Sequence, residues 1–112
     1  MPGTFELTKN SGGEFIFRLK ASNRENILRS EGYSSKSGAQ NGIESVKKNA
    51  ADAANFVKLT AKNGQFYFNL RAANHQVIGT SEMYSTESAR DNGIQSVQKH
   101  APEAQIVDMT AA

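Results

Sequence analysis

Gly32-Tyr33-Ser34-Ser35-Lys36-Ser37-Gly38-Ala39-Gln40-Asn41-Gly42-Ile43-Glu44-Ser45-Val46-Lys47 returns 51 residues later as Met83-Tyr84-Ser85-Thr86-Glu87-Ser88-Ala89-Arg90-Asp91-Asn92-Gly93-Ile94-Gln95-Ser96-Val97-Gln98. The match extends outward: residues 13–53 align with 64–104 without a gap and agree at 20 of 41 positions. The chain is therefore a tandem repeat, and its fold must be sought as two copies of one unit.

Within each copy a Ser-Ser or Ser-Thr step opens a segment whose apolar residues recur at helical spacing. Ser35 and Thr86 are the expected N-caps, because a side-chain oxygen there can accept from the free N–H groups of the first turn. Gly42, Ile43, Val46 and Ala50, and likewise Gly93, Ile94, Val97 and Ala101, form one narrow apolar stripe. The spacing predicts helices from about Lys36 to Asn49 and from about Glu87 to His100. Lys47 and Lys48 suit the first helix's C-terminal dipole, and Pro102 stops the second helix. A glycine inside a helix costs about 1 kcal/mol relative to alanine. Its recurrence at Gly42 and Gly93 predicts a close approach of each helix to what lies beneath it.

Upstream of each helix the period shortens to two, the mark of half-buried strands. Thr4-Phe5-Glu6-Leu7-Thr8 alternates, and so do Phe15, Phe17, Leu19 and Ala21 against Ile16, Arg18 and Lys20. A third strand near residues 26–31 has an ambiguous facing because Ile27 and Leu28 are adjacent; Ile27 is assigned inward. The second copy runs through Phe56-Val57-Lys58-Leu59-Thr60, then Phe66, Phe68, Leu70 and Ala72, then residues 77–82. Its turn at Asn74-His75-Gln76 lacks the glycine that hairpin loops prefer. Ile106-Val107-Asp108-Met109-Thr110 repeats the opening-strand pattern a third time. The expected fold is α+β: tandem β-β-β-α repeats with an extra C-terminal strand, forming a single antiparallel sheet of about seven strands. Both helices should cover the phenylalanine face, with pseudo-twofold symmetry and swapped terminal strands that close otherwise open edges. Residues 1–112 form one domain of two repeats, about 4–54 and 55–110.

With 112 residues the chain can bury a core unaided, and it has no cysteine for disulfides, thiol nucleophiles or thiolate metal sites. Hydrophobic residues are 38% of the sequence, with no run long enough to span a bilayer, and the net charge is only +2. The expectation is a cytoplasmic monomer that does not engage membranes.

Catalytic chemistry finds no footing. Gly32 to Ser37 joins a strand to a helix and carries Lys36-Ser37, yet it lacks the glycine spacing of a phosphate loop. A weaker anion site at Ser34, Ser35 and Lys36 remains a candidate, using the helix N-terminus. His75 and His100 lack metal-ligand spacing, and Glu31 and Glu82 have no neighbouring nucleophile or base. No cofactor, metal or catalytic residue is expected. The remaining surface is the outward sheet face, where Arg18, Lys20, Tyr67 and Arg71 combine cations with an aromatic ring as single-strand nucleic-acid binders do. The expected function is a non-enzymatic binding or interaction module, its partner another protein or a single-stranded nucleic acid.

The strand Phe15-Ile16-Phe17-Arg18-Leu19-Lys20, the segment Ser30-Glu31-Gly32-Tyr33-Ser34-Ser35-Lys36 and the helix Asn41-Gly42-Ile43-Glu44-Ser45-Val46-Lys47 resemble the YegP-like family of small bacterial and archaeal proteins of unknown function. The resemblance spans nearly the whole chain. It implies paired β3-α-β motifs in a single sheet with exchanged C-terminal strands, and it brings no catalytic residues. The second copy departs from the pattern at Met83, Glu87 and Ala89, so a ligand held through Gly32 and Lys36 would be held by the first copy alone.

Overall fold

A computed structural model describes residues 3–110. Strands β1 (Thr4–Lys9), β2 (Phe15–Lys20) and β3 (Asn26–Arg29) lead into α1 (Lys36–Asn49). Strands β4 (Phe56–Thr60), β5 (Phe66–Arg71) and β6 (Val77–Thr80) lead into α2 (Glu87–His100), and β7 (Gln105–Asp108) follows. All seven strands share one sheet in the order β4-β5-β6-β3-β2-β1-β7. Each repeat's three-strand meander is thus intact, and the two meet where β3 pairs with β6 through Arg29 and Thr80.

The expectation of a wholly antiparallel sheet needs correction. β7, which follows the second repeat's helix, lies against the first repeat's β1 and runs parallel to it, Thr4 opposite Gln105 and Leu7 opposite Asp108. The sheet is mixed. A strand's alternation is the same in either direction, so the direction is set by the route of return: the chain crosses over through α2 before it reaches β1.

The helices begin where the caps place them. Ser35 Oγ accepts from the Gly38 N–H at 3.0 Å and Thr86 Oγ1 from the Ala89 N–H at 3.0 Å. Phe5, Leu7, Phe17, Leu19, Phe68 and Leu70 are buried between the sheet and the helix stripes of Ile43, Val46, Ile94 and Val97. Burying one such side chain contributes about 1.5–3 kcal/mol. Tyr33 and Tyr84 slide under α1 and α2. A Cβ added to Gly42 or Gly93 would stand 2.5 Å from the hydroxyl oxygen of Tyr33 or Tyr84. The helical glycines therefore make room for a tyrosine ring.

Ile27 and Leu28 are both buried. The register between β2 and β3 slips there, with Leu19 opposite Leu28 and Lys20 opposite Asn26, leaving Ile27 as the extra residue of a bulge. The bulge lets two adjacent apolar residues enter one core. The second repeat bulges at the same place, between Leu70 and Arg71. At the junction of the repeats the Leu28 side chain lies against Gly79, where a Cβ would fall 2.7 Å from its Cδ2.

The turns without glycine are built alike. Arg24 and His75, equivalent in the two repeats, take φ values of 69° and 67°. Asn23 Oδ1 accepts from the Glu25 N–H at 3.0 Å, and Asn74 Oδ1 from the Gln76 N–H at 3.1 Å, so an asparagine side chain ties each turn.

Candidate functional site

The helices cover one face of the sheet and leave the other open. Cross-strand register assigns the open face: Glu6 is opposite Arg18, Arg18 opposite Arg29, Arg29 opposite Thr80, and Thr80 opposite Asn69. Tyr67 and Arg71 flank Asn69 on β5 and share its side of the sheet. The four surface residues expected from sequence thus share this face in two groups, Arg18 and Lys20 on β2, Tyr67 and Arg71 on β5. Three strand spacings separate the groups, about 14 Å.

Lys20 is held at 3.2 Å by Glu6. Arg18 and Arg29 have no carboxylate within ion-pair distance among the described residues, although like charges directly opposite each other on paired strands repel. The equivalent positions in the second repeat are neutral, and Thr80 Oγ1 donates to Asn69 Oδ1 at 3.0 Å. Arg71 Nε is buried with no hydrogen-bond partner among the described residues. Arg29 was missed by sequence reasoning because only the register shows that it faces Arg18.

Beyond the Arg29–Thr80 pair the strands diverge around a cleft of about 450 Å³ lined by Arg29, Ser30, Glu31, Thr80, Ser81, Glu82 and Met83. The repeated Ser-Glu step has a backbone role here. Ser30 Oγ accepts from the Phe17 N–H at 2.9 Å and donates to the Glu31 carbonyl at 2.8 Å; Ser81 does the same with Phe68 and Glu82. These hydroxyls stand in for ladder carbonyls as the chain leaves the sheet.

At the first helix N-terminus, Ser35 is engaged in capping, Ser34 is exposed, and Lys36 Nζ forms an ion pair with Asp108 of β7. Lys36 and Thr110 hold the Asp108 carboxyl down at about 2. The Tyr33 hydroxyl is pushed up by burial and then by Glu31, and that of Tyr84 by burial and then by Glu82 and Glu25, so both stay protonated at neutral pH. His100 Nδ1 lies 2.8 Å from the Ser96 carbonyl and so carries the proton of that bond. Asn49, its counterpart, donates to the Ser45 carbonyl at 2.9 Å. His75 sits in its exposed turn. Among the described residues no group of three or more His, Asp or Glu side chains is placed to hold a metal ion, and no helix is long and apolar enough to cross a membrane.

A duplicated β-β-β-α unit, merged into one sheet with helices on one face and a polar, cationic face opposite, defines a small tandem-repeat α+β protein. The chain belongs to the family described as a domain of unknown function, DUF1508, whose model matches twice, at residues 10–56 and 61–108. It is 54% identical to the UPF0339 protein in the ptx operon 5′ region of Stutzerimonas stutzeri, over 97% of this chain and 98% of that one. It is 50% identical to the UPF0339 protein YegP of Escherichia coli K12, over 98% of this chain and all of that one. The solution NMR structure of the Escherichia coli protein of unknown function YegP superimposes with a TM-score of 0.95 at 49% identity, covering 100% of this chain and 97% of that one. The UPF0339 protein of Shewanella oneidensis superimposes at 0.92 and 55% identity, covering 98% and 93%.

Proposed function

We propose that the protein is a non-enzymatic binding module, and that its open sheet face takes a single-stranded nucleic acid. The observation that carries this reading is the placement of Arg18 directly opposite Arg29, neither within ion-pair distance of a carboxylate among the described residues, with Glu6 engaged by Lys20. Two facing guanidiniums on a sheet favour an anion between or above them, and a phosphate accepts from both. Tyr67 and Arg71 extend the surface across the repeat junction, giving a ring for base stacking beside a further cation.

Fluorescence anisotropy with labelled single-stranded DNA and RNA at low salt tests the proposal. Binding in the micromolar range that weakens steeply with salt is expected. The Arg18→Ala/Arg29→Ala double change should shallow the salt dependence, and Tyr67→Ala should lose roughly 1–3 kcal/mol. Absence of binding at low salt, or binding indifferent to the double change, removes nucleic acid as the ligand.

A further inference from the structure

The outer strands of the two meanders, β1 and β4, descend from the same sequence, yet among the described residues only β1 is covered. β1 lies between β2 and β7, whereas among the described residues its counterpart β4 has β5 alone as neighbour and ends the sheet. The repeat offset identifies what has changed around β4: Lys58 stands where the first copy has Leu7, Glu87 for Lys36, Arg90 for Ala39 and Asp91 for Gln40.

Three of these replacements converge in space, and the fourth, Glu87, opens the same helix. Leu7 is 0% exposed, while the Lys58 side chain, at the equivalent helix-facing position, is 52% exposed and meets Asp91 on α2 at 3.2 Å. Arg90 is 7% exposed, lies 5.5 Å over the Phe66 ring and brings Nε to 3.4 Å from the same Asp91 carboxylate. In the first repeat the helix N-terminus grips the added strand through Lys36 and Asp108. In the second, Glu87 begins the helix instead.

We propose that the outer edge of β4 is an eighth strand position, equivalent to the one β7 fills beside β1, and that Lys58, Glu87, Arg90 and Asp91 close it to the C-terminal strand of a second copy. An incoming β7 would have to desolvate the Lys58–Asp91 pair and would set its own Asp108 beside Glu87. A charge pointing inward from an edge strand is an established protection against edge pairing. The protection matters here because β7 of one molecule on β4 of the next would leave β1 of the donor uncovered, a contact that propagates without closing.

The test restores the first copy's residues at the β4 edge. The native protein and the Lys58→Leu/Glu87→Lys/Arg90→Ala/Asp91→Gln variant are compared by light scattering after size exclusion, and each is titrated with a labelled synthetic peptide of residues 104–110. The native chain should stay monomeric and bind the peptide weakly. The variant should bind it at least tenfold more tightly and form concentration-dependent oligomers. If circular dichroism shows the fourfold variant unfolded, Lys58→Leu/Glu87→Lys, which keeps Arg90 over Phe66, must show the same tightening. A folded variant that stays monomeric with native peptide affinity overturns the proposal, as does native protein that already binds the peptide tightly.

Discussion

The two faces of the sheet have diverged in different ways since the duplication. On the helix-covered face Phe5 matches Phe56, Phe15 matches Phe66, Phe17 matches Phe68 and Leu19 matches Leu70. It changes where the geometry itself is not repeated, at the Leu28–Gly79 junction and at the Leu7/Lys58 edge. On the open face Glu6 becomes Val57, Ile16 becomes Tyr67, Arg18 becomes Asn69, Lys20 becomes Arg71 and Arg29 becomes Thr80. Close packing holds the first face to one solution, because an interior this dense registers a single methylene. The open face is less tightly held, although Ile16 and the Arg71 Nε are buried there too. Its first-repeat half has become the more cationic, with Arg18, Lys20 and Arg29 against Arg71 in the other half.

Substitution under the helices should give the largest effect and should give it twice. Gly42→Leu and Gly93→Leu are each expected to destabilise by about 1–3 kcal/mol in urea denaturation, despite leucine's better helix propensity. Gly42 should be the more sensitive, since Phe17 Cε2 as well as Tyr33 stands within 3.0 Å of the added Cβ, whereas Gly93 meets only Tyr84 that closely. Either substitution raising stability would mean that the tyrosine is not wedged beneath the helix.

On the open face the sign should reverse. Arg29→Ala relieves the repulsion from Arg18 and should leave stability unchanged or raise it by roughly 0.2–1 kcal/mol. A loss above about 1 kcal/mol in the same denaturation experiment would make Arg29 a structural residue and weaken the contrast between the faces.

The smallest effect concerns the covered edge. The Asp108 carboxyl is held at about 2 in the folded protein, first by Lys36 and then by Thr110. Unfolded, it returns to the ordinary range near 3.9. Its contribution to stability is thus complete above about pH 4 and is lost as the pH falls toward 2. An NMR titration should place the Asp108 inflection near pH 2, with the amide shifts of β7 and Thr110 following it. An inflection near 4 would show the Lys36 contact to be absent in solution.

Much of this architecture was legible because it was written twice. Ser35 and Thr86 mark both helix starts, and the alternation around Phe17 and Phe68 identifies the buried face from the sequence alone. Four features are not legible, for one physical reason: each depends on which residues meet across space. The parallel direction of β7 follows from the crossover route. The burial of both Ile27 and Leu28 follows from a register slip. The confrontation of Arg18 with Arg29, on which the candidate site rests, follows from strand pairing. Arg90 belongs with these, since a helix arginine reads as solvated until Phe66 is found beneath its guanidinium.

The contact of Leu28 with Gly79 has an evolutionary implication. The two positions are copies of each other that meet beside the pseudo-twofold axis, and one side chain occupies the space available to both. Two identical single-repeat chains paired about a true axis would have to place leucine against leucine, which collides, or glycine against glycine, which leaves a void. Joining the repeats in one polypeptide frees each half to mutate alone, so the junction can hold a knob on one side and its socket on the other. That step cannot be taken by a homodimer, and once taken it makes the halves of this protein non-interchangeable.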